Sequence, residues 1–286
     1  MPLSPTECLV STDWLERHLT DPDLRILDSS WHMPAENRDA RAEFAAQNIP
    51  GAQFFDTDAI ADQSIPLPHM VPAAAQFAEQ VAALGIGNDS CVVVYDNSGV
   101  LSAARARWLL RAMGVPRVAV LDGGLRKWLA EGRPVASSPQ EPKPGRLTAR
   151  LDRSRVRNAD QVLQGLGDPD IQIVDARAPG RFEGTVPEPR PGLRSGHIPG
   201  SRNVCFKEVL NDDGTLKSPA ELRQAFEAAG VELTKPVITT CGSGITASVL
   251  ALALELLGHD DVAVYDGSWS EWGQRDDLPI ETGEDG

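Results

Sequence analysis

The fold is decided by the stretch Val237-Ile-Thr-Thr-Cys241-Gly-Ser-Gly-Ile-Thr-Ala247, in which a strand, a glycine turn and the start of a helix follow one another. The apolar and β-branched residues before Cys241 favour a short buried strand. The two glycines that flank Ser243 favour a tight turn. The apolar segment Thr246–Leu257 is long enough for a helix and is followed by Gly258, a residue typical of helix ends. A buried strand that turns directly into a helix is typical of parallel α/β sheets.

The same order of segments occurs earlier in the chain, so the sequence contains an internal repeat. The matching pairs are Leu24–Asp28 with Ile171–Asp175, Asn48-Ile-Pro-Gly51 with His197-Ile-Pro-Gly200, Cys91–Tyr95 with Pro236–Thr240, and Val118–Gly124 with Val262–Ser268. Matched positions are 144 to 149 residues apart. Four ordered matches at a nearly constant spacing indicate a duplicated unit.

Each copy alternates short apolar strands with helical segments. We therefore predict an α/β fold of two tandem domains, each a mostly parallel sheet with helices on both faces. The segment Pro134–Pro144 holds four prolines and two serines and favours an extended linker. The predicted domains are residues 1–140 and 151–286, with the linker at 141–150. The predicted helices are Phe77–Leu84, Ala103–Met113, Leu222–Ala229 and Thr246–Leu257.

The composition excludes several classes of protein. The 286 residues are 41% hydrophobic and 24% charged, as in ordinary globular proteins, and the apolar runs are too short for a membrane helix. A net charge of −14 argues against nucleic acid and anionic membranes as partners. The four cysteines form no CxxC pair, which argues against a zinc site or a thioredoxin-like pair. The N-terminus has no secretory pattern, and we expect a cytoplasmic protein with reduced thiols.

Cys241 lies in a glycine-rich turn before a helix, where the backbone can change the ionisation of a thiol. A glycine-rich turn can direct several backbone N–H groups inward, and the start of a helix adds a partial positive charge. Both effects favour the thiolate. The same amides would stabilise an anion on that sulfur, including the outer sulfur of a persulfide. The alternative is that Cys241 is a small buried apolar residue, which is our interpretation of Cys91 and Cys205.

Other cysteine- and phosphate-based sites fit this loop less well. No Gly-Lys-Ser or Gly-Lys-Thr follows the glycines, which excludes a Walker loop. A cysteine phosphatase needs an arginine six positions after the cysteine to clamp phosphate, and Ala247 stands there. A papain-like thiol needs a partner histidine, whereas a thiol activated by loop amides does not.

The repeat and the cysteine loop together resemble the tandem rhodanese sulfurtransferases over nearly the whole chain. The resemblance implies two similar α/β domains, of which the C-terminal one carries the reactive cysteine. In the first copy, Asp96 occupies the position of Cys241. Because a carboxylate cannot carry a sulfur atom, the first domain is predicted to be catalytically silent.

The cysteine loop is similar to that of the 3-mercaptopyruvate sulfurtransferases, with isoleucine where valine is usual. Thiosulfate-preferring members place two basic residues directly after the cysteine, whereas this chain has Gly242 and Ser243. A neutral loop suits a donor with less charge than the thiosulfate dianion. The resemblance implies that Cys241 is the nucleophile and that the loop also binds the substrate. The loop residues predicted to bind substrate are Gly242, Gly244, Ile245 and Thr246.

Two arginines match the positions at which this family binds the carboxylate and carbonyl of mercaptopyruvate. Arg181 follows Gly180, and Arg190 ends the sequence Pro-Glu-Pro-Arg. A guanidinium fork fits the geometry of a carboxylate. As the alternative, both are solvated loop charges, which is common for arginine. Arg177 is predicted to form a structural ion pair after the strand that ends at Asp175.

The resemblance also implies catalytic roles for Asp58 and His69, which match an aspartate and a histidine that approach the loop serine, Ser243. Such a chain would tune proton transfer near the sulfur. The alternatives are a turn or helix cap at Asp58 and an ordinary loop histidine at His69. The remaining histidines are interpreted as surface residues at His18, His32 and His259 and as a structural residue at His197.

The predicted function is sulfur transfer from 3-mercaptopyruvate to a thiol, a thioredoxin-like protein or cyanide through a Cys241 persulfide, without cofactor or metal and by a monomer. One alternative is thiosulfate:cyanide sulfurtransferase. A second is a rhodanese module that binds a partner or senses redox state, which a buried Cys241 would favour. A third is an arsenate reductase or phosphatase, which Ala247 disfavours.

Overall fold

The computed structural model describes residues 3–137 and 141–283, and the chain forms two compact units. The first comprises the chain up to Gln63, Val71–Asp152 and Asp212–Leu216. The second comprises Ser64–Met70, Arg153–Asn211 and the chain from Lys217 onward. The predicted linker at 141–150 has no helix or strand and belongs to the first unit. Residues 138–140 of the proline-rich stretch lie outside the described residues.

The first unit is built on a parallel sheet with strand order β1-β5-β4-β2-β3. The strands are β1 (Leu9–Val10), β2 (Leu24–Asp28), β3 (Ala52–Phe54), β4 (Cys91–Tyr95) and β5 (Arg117–Leu121). The helices are α1 (Thr12–His18), α2 (Ala40–Ala46), α3 (Thr57–Ile60), α4 (Ala74–Ala83), α5 (Ser102–Ala112) and α6 (Gly124–Ala130).

The second unit repeats this topology as a parallel sheet with order β6-β10-β9-β7-β8. The strands are β6 (Val156–Arg157), β7 (Gln172–Asp175), β8 (Arg202–Asn203), β9 (Val237–Thr240) and β10 (Val262–Tyr265). The helices are α7 (Ala159–Gln164), α8 (Pro179–Phe182), α9 (Pro219–Ala228), α10 (Ile245–Leu256) and α11 (Ser268–Trp272). The equal strand order in both sheets confirms the predicted α/β class and the duplication.

The local sequence explains where these elements begin and end. Every residue of β4 and β9 is buried, as expected for β-branched runs in the middle of a parallel sheet. Helix α9 starts three residues before its predicted start because Ser218 accepts a hydrogen bond from Glu221 N while the Glu221 carboxylate accepts one from Ser218 N. The described part of the chain contains no helix long and apolar enough to cross a membrane.

The repeated Ile-Pro-Gly turns identify matching residues in the two units. In the first unit, Asn48 Nδ2 donates to the carbonyl oxygen of Phe44 at 2.9 Å. In the second, His197 Nδ1 donates to the carbonyl oxygen of Phe182 at 2.8 Å, which is a structural role for this histidine. Fifteen positions separate Phe182 from His197 and four separate Phe44 from Asn48. The second unit therefore carries an inserted loop, residues 183–196, which forms neither helix nor strand.

Candidate active site

The cysteine loop lies at the carboxyl end of the second sheet. Asp175 at the end of β7 pairs with Thr240 at the end of β9, and Cys241 follows directly. Helix α10 begins at Ile245 after Gly244, which has a φ of +84°. Glycine adopts this left-handed conformation without steric cost, so Gly244 permits the sharp turn from strand to helix.

One backbone amide of the loop points at the Cys241 sulfur, whereas two backbone carbonyls of the loop point toward α11. Gly244 N donates to Cys241 Sγ at 3.2 Å. The carbonyl oxygen of Cys241 accepts from Trp269 N at 2.9 Å. That of Gly242 accepts from Ser270 N at 2.9 Å and from Ser270 Oγ at 2.6 Å. The two carbonyl oxygens bind α11, and the Cys241 sulfur accepts a hydrogen bond from a backbone amide. A backbone amide is the kind of group that stabilises an anion.

Ser268 holds the start of this turn. Its hydroxyl accepts a hydrogen bond from Cys241 N at 3.3 Å and donates to the carbonyl oxygen of Tyr265 at 2.8 Å. Its φ of +49° lies in the left-handed region, which is unfavourable for serine. Backbone strain of this kind is found where the surrounding structure fixes the residue, often at a functional site.

The thiol itself is enclosed. Cys241 is 2% exposed, and Ser243, Gly244 and Ile245 are also buried. Thr246, in the first turn of α10, is half-buried. This burial is the observation that the alternative of a non-catalytic module predicts.

Both predicted substrate arginines reach the cysteine loop. A Cβ atom placed on Gly242 would lie 3.1 Å from Arg181 Nη2 and 3.9 Å from Arg190 Nη1. Glycine at this position therefore allows two guanidinium groups to lie beside the residue that follows Cys241. The Arg181 side chain is 24% exposed, so part of this positive surface meets solvent.

An ion-pair network that the sequence did not predict holds one of these arginines. The Glu188 carboxylate, 2% exposed, accepts from Arg181 Nε at 3.1 Å, from Arg181 Nη2 and from Arg177 Nη1 at 2.9 Å. Arg177 also binds both carboxylate oxygens of Asp175, which confirms its predicted structural ion pair. Two acidic residues, Asp175 and Glu188, flank Arg177 and Arg181 in the chain, and this spacing is the signal that could have revealed the network.

His69 lies beside the loop, but its hydrogen bond is to the main chain. Its Nδ1 lies 3.2 Å from the carbonyl oxygen of Ser243, and its backbone φ is +61°. Because a carbonyl only accepts, Nδ1 carries the proton in this hydrogen bond. The structure therefore brings His69 and Ser243 together through the Ser243 backbone.

Asp58 belongs to the first unit, in α3, where its carboxylate accepts a hydrogen bond from Trp31 Nε1 at 2.9 Å. Asp56, and not Asp58, caps this helix by accepting from Ala59 N. The chain from Asp58 through His69 to Ser243 stays a prediction.

The matching loop of the first unit carries a carboxyl group in place of the thiol. The fully buried carboxylate of Asp96 accepts hydrogen bonds from Ser98 N at 2.7 Å and from Ala103 N at 2.8 Å. Its carbonyl oxygen accepts from Leu125 N at 2.9 Å, as that of Cys241 does from Trp269 N. Burial raises the pKa of Asp96, and the surrounding amides act in the opposite direction. The two loops therefore bind the carbonyl of their first residue in the same way, while different amides reach the side chain of Asp96 and that of Cys241.

The described residues contain no group of three or more His, Cys, Asp or Glu placed to hold a metal ion. Cys8, Cys91, Cys205 and Cys241 all lie in this part of the chain, and none of them forms a disulfide bond. Burial raises the pKa of both Cys91 and Cys205. These two cysteines therefore favour the neutral thiol, in agreement with their interpretation as apolar core residues.

Fold and site together define a tandem α/β protein with a cysteine loop in its second unit, and comparison with known proteins assigns the family. The rhodanese-like domain model matches residues 11–131 and 158–275. The chain belongs to the rhodanese-like family and contains two copies of its domain.

Curated relatives in this family carry two kinds of name. The chain is 45% identical to 3-mercaptopyruvate sulfurtransferase from Homo sapiens over 280 residues, which covers 95% of this chain and 94% of the relative. It is 48% identical to thiosulfate sulfurtransferase from Bos taurus over 281 residues, which covers 96% and 94%. Among solved structures, the 3-mercaptopyruvate sulfotransferase SseA from Escherichia coli matches with a TM-score of 0.85 and 39% identity, over 93% of this chain and 100% of that chain.

Proposed function

We propose that this protein is a sulfurtransferase that takes sulfur from 3-mercaptopyruvate and carries it as a persulfide on Cys241. The observation that carries the proposal is the pair of guanidinium groups beside Gly242, next to a sulfur that accepts an amide hydrogen bond. Arg181 and Arg190 would bind the carboxylate and carbonyl of the donor, since a guanidinium fork pairs with such oxygens.

The chemistry proceeds in two half-reactions. The Cys241 thiolate attacks the donor sulfur, a sulfur–sulfur bond forms, and the carbon–sulfur bond breaks with its electron pair passing to carbon. The pyruvate enolate then takes a proton and leaves as pyruvate. In the second half-reaction, a thiol, a thioredoxin-like protein or cyanide attacks the outer sulfur and releases the Cys241 thiolate.

The silent unit supports the persulfide. The aspartate side chain extends one atom beyond the position of a cysteine sulfur, so a persulfide has the length of an aspartate and also ends in an anion. In the first unit, the amide of Ser98 in the corresponding turn and the amide of Ala103 in the first turn of α5 bind the Asp96 carboxyl group. The turn at Cys241 therefore suits an anionic outer sulfur, which preorganised amides would stabilise.

Ser243 and His69, with Asp58, are proposed to tune the proton that the enolate takes up. His69 would act through Nε2, because Nδ1 donates to the Ser243 backbone. Replacing His69 by glutamine should lower turnover while alkylation of Cys241 by iodoacetamide continues at the wild-type rate. A parallel loss of both would instead assign His69 to loop structure.

Two other functions each rest on one observation. The curated thiosulfate sulfurtransferases are slightly more identical to this chain than the mercaptopyruvate enzymes, at 48% against 45%, which favours thiosulfate as the donor. The enclosure of Cys241 favours a module that binds a partner without turnover. The neutral loop residues Gly242 and Ser243 favour mercaptopyruvate over the thiosulfate dianion.

A comparison of the two donors with one acceptor tests the proposal. The wild-type protein should show a higher kcat/KM with mercaptopyruvate than with thiosulfate, and Ser243→Lys should move the ratio toward thiosulfate by about tenfold, because a cation attracts the dianion more strongly. A wild-type preference for thiosulfate would establish the first alternative. No turnover with either donor would establish the second.

The acceptor, oligomeric state and compartment are proposed on the sequence alone. We propose a monomeric protein of the cytoplasm that passes sulfur to a small thiol or a thioredoxin-like protein. Size-exclusion chromatography with light scattering tests the oligomeric state, and fractionation of the source cells tests the compartment. Persulfide transfer to candidate acceptors tests the acceptor.

A further inference from the structure

The inserted loop of the second unit is tied down by a buried carboxylate. Residues 183–196 form neither helix nor strand, yet the Glu188 side chain within them is 2% exposed. Burial of a carboxylate is costly unless cations and hydrogen bonds compensate it. Glu188 meets this condition through Arg177 and Arg181.

Arg177 is held in place by contacts other than the one with Glu188. It binds the carboxylate of Asp175 at the end of β7, donates to the carbonyl oxygen of Gly196 at 2.8 Å, and lies 4.2 Å above the Trp269 ring. Burial lowers the pKa of Arg177, but its two carboxylate partners outweigh this effect and the net shift is upward. Glu188 therefore binds to a permanent cation anchored on the sheet.

Glu188 fixes the orientation of the Arg181 guanidinium group. Two of its three guanidinium nitrogens, Nε and Nη2, donate to Glu188, and two bonds from one planar group fix the direction of that plane. The same Nη2 atom lies 3.1 Å from the place of a Cβ on Gly242. Arg190, two residues after Glu188, brings Nη1 to 3.9 Å from the same place.

We propose that Glu188 is a positioning residue of the anion site: it holds Arg181 and the loop that carries Arg190 against Gly242, and so sets the affinity for the donor carboxylate without touching the donor. This inference rests on the proposed function, in which both arginines bind the donor.

Charge and position predict opposite effects for this residue. Removal of a negative charge next to an anion site strengthens anion binding if electrostatics alone operates. Loss of the fork that holds Arg181 weakens anion binding, because the arginine must then be ordered when the donor binds. The sign of the change in Glu188→Gln therefore separates the two explanations.

The experiment compares Glu188→Gln, Glu188→Asp and the control Glu183→Gln, which removes the same charge from the same loop outside the network. The readouts are KM and kcat for mercaptopyruvate, the inhibition constant of pyruvate, the rate of Cys241 alkylation by iodoacetamide, and thermal unfolding. In both Glu188 variants we expect KM and the pyruvate constant to rise about tenfold, the value for about 1.4 kcal/mol of binding. The kcat at saturating donor and the alkylation rate should stay within about twofold. The control should match the wild type.

A fall in KM, or no change in KM in either Glu188 variant, would overturn the positioning role. If Glu188→Gln does not fold, Glu188→Asp carries the test, since it keeps the charge and shortens the reach; if neither folds, Glu188 serves stability and the inference is wrong. A wild-type protein that does not use mercaptopyruvate would contradict the proposed function itself, an outcome distinct from equal KM values across active variants.

Discussion

The turn after β4 carries Asp96 in the first unit, and the matched turn after β9 carries Cys241 in the second. Two further matched positions differ in charge. Glu43 precedes Phe44 where Arg181 precedes Phe182, and the Asp28 carboxylate accepts from the backbone N of Ser30 where that of Asp175 accepts from the backbone N of Arg177. The same sheet topology thus presents an acidic cluster in one unit and a thiol with cations in the other. The difference shows that chemistry here depends on a few side chains at the carboxyl edge of the sheet, as is usual for α/β folds.

The first unit uses its acidic residues for structure. The Glu43 carboxylate accepts hydrogen bonds from Arg38 and Asn97 and lies 3.0 Å from His32 Nε2. The hydrogen bond from Arg38 is the main cause that lowers the pKa of Glu43 to about 2. A site with an ionised glutamate at the arginine position repels an anionic donor, and the aspartate at the cysteine position cannot carry a sulfur atom. This supports the prediction that the first unit is catalytically silent.

The largest effect should come from Cys241→Ser. Loss of the nucleophile should lower sulfur transfer by about a thousandfold or more, since covalent catalysis then has no acceptor atom for the sulfur. Steady-state assays with mercaptopyruvate measure the change. The control Cys205→Ala should keep the wild-type rate, and an active Cys241→Ser protein would remove the functional difference between the two loops.

The second largest effect should be on stability, in Asp96→Ala. The amides of Ser98 and Ala103 would lose a buried acceptor, and we expect the free energy of unfolding to fall by about 2–4 kcal/mol. Denaturant titration measures this loss, while sulfur transfer per folded molecule should stay within about threefold. Unchanged stability with lost activity would show that the first unit takes part in catalysis.

The third prediction uses the two strand-end aspartates. Burial raises the pKa of Asp28 to about 6, whereas Asp175 is paired with Arg177. A raised pKa means that the folded state holds the proton more tightly, so the stability due to Asp28 is full below about pH 4 and is lost as pH rises through about 6. Relative to that of Asp28→Asn, the unfolding free energy of the wild type should fall by about 2 kcal/mol from pH 4 to pH 7. Parallel pH profiles of the two proteins would contradict this assignment.

The smallest of these effects should be on donor affinity, in Arg190→Gly. Removal of one of the two guanidinium groups beside Gly242 should raise KM for mercaptopyruvate about tenfold, because one ionic hydrogen bond to the donor is lost. Alkylation of Cys241 by the neutral reagent iodoacetamide should proceed as in the wild type. An unchanged KM would return Arg190 to the class of solvated loop charges.

The elements that depend on local pattern could be predicted from the sequence. The bounds of β4 agree with the predicted apolar strand Cys91–Tyr95 residue for residue, because a buried β-branched run between turn residues has few other conformations. The positions of Arg181 and Arg190 followed from a family resemblance, and the structure brings both to Gly242.

Contacts between distant segments could not be predicted in this way. Glu188 lies among prolines in a loop where a carboxylate is usually solvated, and its burial depends on Arg177 from another segment. The interpretation of His32 as a surface residue is wrong, because its side chain is 3% exposed and lies against the Glu43 carboxylate. In both cases ion pairs between separate segments determine burial, and the periodicity of helices and strands does not record them.

The most direct test of the account is the mass of the intact protein after treatment with mercaptopyruvate without an acceptor. We expect an increase of about 32 Da, the mass of one sulfur atom, located by peptide mapping on Cys241, lost on addition of cyanide and absent in Cys241→Ser. A protein that gains no sulfur, or gains it on Cys8, Cys91 or Cys205, would contradict the claim that the amide turn at Cys241 holds a persulfide.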